Sequence, residues 1–183
     1  LARMESEYLV SWIEHGLAYA RLGWPILPLY TLDDSGRCTC GAVVCKEGHG
    51  PLPNRDASTE EHVIRTWGEQ WTDADLAIIL PEDLVVVEVA RRRGGRDSVR
   101  ELSPMGRIEE TPFFAIGPHH RLYFFQSANP RALPRRTEIG SGLFVHGAGS
   151  RIRLPQSPHE VGSGFRRWLR TPVDCDLAPL PTW

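Results

Sequence analysis

Residues 84–95 read LVVVEVARRRGG: six apolar or β-branched residues interrupted by one carboxylate, Glu88, then three arginines and a double glycine. A run this apolar on both of its alternating faces has to be an interior strand, because only a sheet covered on both sides buries it. The rest of the chain must therefore supply neighbouring strands and two covering layers. The polar break after Ala90 places the C-terminal end of that strand, with Glu88, where a site is formed. A chain of 183 residues is long enough for one such domain.

The flanking segments read in order as further pieces of an α/β (α+β) domain, a mixed central sheet flanked by helices. Residues 8–21 repeat apolar positions at spacings of three and four (Leu9, Trp12, Ile13, Leu17, Ala20), the pattern of a core-facing helix. Gly23 and Pro25 end it, and residues 24–30 follow as a strand. Residues 56–71 form a second helix, with Ser58 or Thr59 expected at its N-cap. Strands are expected at 76–80, 84–89, 113–116, 121–126, 143–145 and 152–154, a last strand or turn at 165–169, and a short helix at 96–102. Residues 1–170 are expected as the domain, and the proline-rich 171–183 as a tail on its surface.

Between the first strand and the second helix lies a Gly- and Pro-rich loop, 36–52, with Cys38, Cys40, Cys45 and His49 in a C-x-C-x4-C-x3-H spacing. Thiolates and an imidazole at these intervals suit a tetrahedral structural zinc, which would hold a loop that has little apolar content of its own. The bland alternative is a loop of free thiols. Clustered cysteines, no apolar run near the ~20 residues that span a bilayer, and an N-terminus bearing Glu5, Glu7 and Glu14 lead us to expect a reduced, cytoplasmic protein without a membrane partner. A net charge of -2 excludes a strongly basic nucleic-acid coat but leaves room for a local basic groove.

In order along the chain, AYARLGWPILPLY, the Cys/His loop, DASTEEHVIRTW, LAIIL, LVVVEV, Thr111-Pro112, LYFF, GLFVHGAGS and LPQSPHEVGSGFRRWL resemble the bifunctional DNA primase/polymerase N-terminal domain. That domain is the prim-pol branch of the archaeo-eukaryotic primase superfamily. The resemblance implies a two-metal nucleotidyl transferase, with carboxylates on a strand at i and i+2 converging on magnesium or manganese. The matching positions here are Glu88 and Ala90, so one carboxylate is absent. Arg121 falls on the family's histidine if residues 122–124 hold the register, and His120 falls there after a slip of one. Phe144 replaces the acid of the third motif and His146 its arginine, whereas Ser157 and His159 match the later S-x-H.

These departures predict a degenerate catalytic centre with little or no polymerase activity. The expected replacement is a metal-independent pocket for nucleic acid or a nucleotide, in a regulatory or accessory role. Its lining would be Arg91, Arg92, Arg93, His120, Arg121, His146, Ser157 and His159, since guanidinium groups hold phosphate directly. Arg131, Arg135 and Arg136 form a second basic cluster, and Phe113, Phe114 and Tyr123 are candidates for stacking or for core. A solvated basic surface explains the same charges. Two alternatives remain open: a protein-interaction module, and a divergent enzyme that binds magnesium or manganese through Glu88, Glu138 or Asp97 with His119 or His120.

Overall fold

The computed structural model describes residues 12–33, 35, 37–45, 49–95, 97, 100, 108, 110–127, 133, 135–156 and 165–180. Its elements run α1 Trp12–Arg21, β1 Ile26–Leu29, α2 Glu61–Gln70, β2 Asp75–Ile79, β3 Leu84–Ala90, β4 Phe113–Ile116, β5 His120–Gln126, β6 Thr137–Gly140, β7 Leu143–His146, β8 Arg151–Arg153, β9 Arg166–Arg170 and β10 Ala178–Pro179. One-turn 3-10 helices cover Asn54–Asp56 and Arg91–Arg93.

The apolar run of residues 84–90 forms the interior strand. β3 lies between β5 and β7, antiparallel to both, in a sheet ordered β6-β7-β3-β5-β4-β9. A smaller sheet is ordered β1-β2-β8. Strand alternation divides the buried residues of β3 between two cores. Leu84 and Val86 join Leu122, Phe114, Phe124 and Trp168 in a core shared with α1, α2 and the small sheet. Val85, Val87 and Val89 face the other way, with Tyr123, Phe125, Leu143 and Val145, under Ile108, Ala178 and Leu180. Among the described residues both helices serve the first core. They approach closely at Gly68, where a Cβ would lie 2.0 Å from the Ile13 side chain.

Three expectations change. Ser58 does not cap α2: its backbone exchanges two 3.0 Å hydrogen bonds with Ile26, and the helix starts at Glu61 after Glu60. Residues 137–140 form an edge strand that the sequence does not announce. The expected surface tail is partly built in, because Ala178–Pro179 pairs in parallel with Phe125–Gln126 and makes the large sheet mixed. Much of the expected helix at 96–102 lies outside the described residues.

Candidate functional site

Glu88 is held on β3 opposite Leu122 of β5 and Phe144 of β7, and Ala90 lies opposite His120. Residues paired across an antiparallel sheet share a face. Glu88, Ala90, His120, Phe144 and His146 therefore project together at the polar end of the first core. The Glu88 side chain is only 15% exposed. It accepts hydrogen bonds from His120 Nδ1 at 3.1 Å and from His146 Nε2 at 2.8 Å. An ionised carboxylate only accepts, so both imidazoles donate to it.

Arg136 completes the cluster from β6's approach, with Nη2 3.7 Å from Glu88 Oε2. Its guanidinium lies 4.0 Å from the centre of the Phe144 ring, and Arg93 lies 5.4 Å from the same ring. The Phe144 ring is thus a platform for two cations. Burial raises the Glu88 carboxyl, but the imidazoles of His146 and His120 and the charge of Arg136 outweigh it and hold the group below its ordinary range. His119, at the adjacent turn, is lowered by withdrawal from water and by the positive charge of Arg92, His120 and Arg91. The local field is one that favours anions.

Backbone geometry places the arginines. Arg91 N–H donates to His119 O at 2.8 Å, and Ala90 N–H to Gly142 O at 2.7 Å. Gly94 takes a φ of 88° to turn the chain after the arginines, and Gly142, at 66°, backs so closely onto β3 that a Cβ would lie 2.6 Å from Ala90 O. The double glycine of the sequence is therefore the wrapping of the end of β3.

The structure separates Arg121 from this group. It pairs with Val89 and Ala115, and its guanidinium lies 5.8 Å over Phe113 on the opposite face of the sheet. His120, not Arg121, faces Glu88. Phe114 and Tyr123 are core, at 0% and 8% exposure, and Phe113 stacks on Tyr123. Glu138 accepts a hydrogen bond from Gly142 N at 3.3 Å, and Asp97 pairs with Arg100. Ser157, His159, Arg96 and Arg131 lie outside the described residues. In the sequence Arg136 belongs only to a loop cluster; its place beside Glu88 rests on the β6–β7 pairing of Glu138 with Phe144, which no sequence signal reveals.

The Cys/His loop forms a second centre. Cys38, Cys40, Cys45 and His49 bring one ligand atom each to within 4.8 Å of one another. His49 Nε2 lies 3.4 Å from Cys38 Sγ and 2.6 Å from Cys45 Sγ. An ion bound tetrahedrally at ~2.3 Å to sulfur and ~2.0 Å to nitrogen spaces its ligands by about 3.5 Å, so this cluster can hold a metal ion. The first turn is shaped by Asp33 Oδ1, which accepts from the backbone N–H of Ser35 and of Arg37, both at 2.9 Å. Withdrawal from water and the thiols of Cys38 and Cys40 push the Cys45 thiol up to about 12, while the Ala42 N–H helps to hold Cys40 below its ordinary value. Three crowded thiols cannot ionise together unless a cation joins them.

Among the described residues, no group of three His, Cys, Asp or Glu side chains other than this one is close enough to hold an ion. The i+2 neighbour of Glu88 on its strand is Ala90, and the Glu88 oxygens are engaged by His120, His146 and Arg136. Nor is any helix of the described residues long and apolar enough to cross a membrane.

A mixed, mostly antiparallel sheet with a polar cluster at the end of its interior strand, and a Cys/His cluster on the loop after β1, make up an α+β domain. The family model "Bifunctional DNA primase/polymerase, N-terminal" matches residues 16–183, and the chain belongs to that family. No curated protein matches it.

Proposed function

We propose that this domain has exchanged metal-dependent nucleotidyl transfer for metal-independent binding of nucleic acid or a nucleotide, in a regulatory or accessory role in the cytoplasm. The observation that carries the reading is the environment of Glu88. Where two-metal chemistry needs a second carboxylate there is Ala90, and the remaining one is engaged by Arg136, His120 and His146. Arg136 supplies one permanent positive charge beside Glu88. Phosphate oxygens can then be met by guanidinium and imidazole groups, with Arg91, Arg92 and Arg93 at the rim. We assign zinc, in a structural role, to Cys38, Cys40, Cys45 and His49, because all four tetrahedral positions are filled by soft or borderline protein ligands.

Arg136→Glu tests the reading. Its side chain is 53% exposed, so the fold should tolerate the change. The variant is expected to bind a labelled oligonucleotide about 10-fold more weakly, with a shallower salt dependence, in fluorescence anisotropy. Arg121→Glu, on the opposite face, is the control and should change affinity by less than about 3-fold. Equal binding by Arg136→Glu and the unaltered protein would contradict the assignment. A protein-docking module is the second reading. One observation favours it: Val43 and Val44, at the tip of the Cys/His loop, are 102% and 90% exposed.

A further inference from the structure

A cavity of about 580 Å3 opens where the end of β9 meets the segment that leads into β10. Small-molecule sites commonly have volumes of about 300–1,000 Å3. The cavity is separate from the Glu88 cluster. Its Arg170 guanidinium lies 5.6 Å from the centre of the Phe113 ring, which stacks on Tyr123, and its Ala178 joins Tyr123 in the second core. These residues belong to the face of the sheet opposite Glu88.

Arg170 lines the cavity together with Asp174 and Asp176. Opposite charges that share a cavity usually close on each other. Here they are held apart: among the described residues Arg170 forms no ion pair with either carboxylate. Each group is pinned elsewhere. Arg170 Nη1 donates to Thr111 O at 3.3 Å. Thr171 Oγ1 donates to Asp174 Oδ2 and accepts the Asp174 N–H at 3.3 Å. The frame behind them is buried, since Thr111 is 0% exposed and its Oγ1 accepts the Ala178 N–H at 3.1 Å. Both signs of charge act at one point of the lining. Withdrawal from water raises the Cys175 thiol, Arg170 lowers it, and Asp174 and Asp176 raise it again.

The lining narrows the occupant. The carboxylates of Asp174, Asp176 and Glu110 and the Cys175 thiol are not grouped closely enough to hold a metal ion. Three carboxylates against one guanidinium repel a phosphate ester, and Arg170 repels a plain polyamine. We propose that this cavity binds a zwitterion, with its carboxylate on the Arg170 guanidinium, its ammonium group at Asp174 and Asp176, and an apolar side chain over Leu177 and Ala178. Guanidinium and carboxylate make the stronger, charge-assisted kind of hydrogen bond. A free amino acid and a short peptide with both ends uncapped share this chemistry. The site is independent of the nucleic-acid reading of Glu88.

The test is a titration of the full chain with L-leucine and with the tripeptide Leu-Gly-Gly, each beside its N-acetylated and its C-terminally amidated form. Chemical-shift changes of the backbone amides of residues 170–178 are the readout. At least one uncapped compound should saturate, and either cap should weaken it by about 10-fold or more. Arg170→Gln should cost a similar factor, and Asp176→Asn about 3-fold. Asp176 is exposed, so its loss of binding cannot be ascribed to unfolding. Saturation by leucine alone assigns a free amino acid, and by the tripeptide alone a peptide; saturation by both means that the cavity reads only the charged ends. The proposal is overturned if neither compound saturates by about 20 mM, if the capped forms bind as tightly, or if both variants bind like the unaltered protein.

Discussion

Trp168→Ala should lower the unfolding free energy by about 4 kcal/mol, within the range of roughly 3–5 kcal/mol for removing a buried large aromatic side chain. Trp168 is 0% exposed. Its ring centre lies 5.2 Å from that of Phe114, 5.5 Å from Phe124, 6.4 Å from Trp24 and 6.5 Å from Tyr19. These neighbours come from β4, β5, α1 and the segment after α1, so no single element can close the cavity. The indole N–H also donates to Tyr19 Oη at 2.8 Å, and the Tyr19 hydroxyl donates to Pro155 O at 2.7 Å. Burial pushes the Tyr19 phenol up, beyond ordinary titration, so this chain of bonds stays neutral. A loss of about 4 kcal/mol is a large share of the roughly 5–15 kcal/mol that holds a domain. It corresponds to a fall in Tm of about 8–16 °C for a chain of this size. Denaturant unfolding followed by tryptophan fluorescence, with circular dichroism as a second probe, measures it. A loss below about 1 kcal/mol would mean that the two layers are not joined through this residue.

Removing metal should have an effect of comparable size but confined to one place. Metal analysis is expected to find about one zinc per chain, and Cys45→Ala to reduce it to near zero. Small Cys/His sites bind zinc with energies on the order of 10 kcal/mol, and that energy is what orders the loop. A strong chelator should therefore speed amide exchange in residues 37–45 by about 100-fold or more. Exchange in β3 and β5 should stay slow, because their two cores hold without the loop. The local bonds that remain, such as Thr39 N–H to Thr31 O at 3.0 Å and Tyr30 N–H to His49 O at 3.1 Å, are too few to order the segment alone. Zinc-free protein with a protected loop would contradict the assignment.

The elements legible in the sequence were those whose burial leaves a pattern. β3 and β5 are apolar runs because both of their faces are covered, and α1 carries its stripe toward the first core. β6 was not legible: TEIG is an edge strand with a register shift between Glu138 and Gly140, so it has no alternation to detect. β10 was hidden by its prolines, which read as a tail although only two residues need to pair. The metal cluster was visible because its ligands are close in sequence. The Glu88 cluster was visible in part. A one-residue change of register moves a strand residue to the other face. Sequence alone therefore left His120 and Arg121 as alternatives; it is His120 that pairs with Ala90 and contacts Glu88. Arg136 comes beside Glu88 through the long-range pairing of β6 with β7, which has no local signature.

We propose that Arg136, with His120 and His146, stands in for divalent metal at Glu88. The most direct measurement is calorimetric titration of the purified domain with a short single-stranded oligonucleotide, first with no divalent cation added and then with magnesium or manganese. The account predicts the same affinity within about 2-fold in both, falling steeply with salt, and no extension of a primed template when dNTPs are supplied. Binding that appears only with the added metal, accompanied by extension, would contradict it and restore Glu88 to a catalytic metal site.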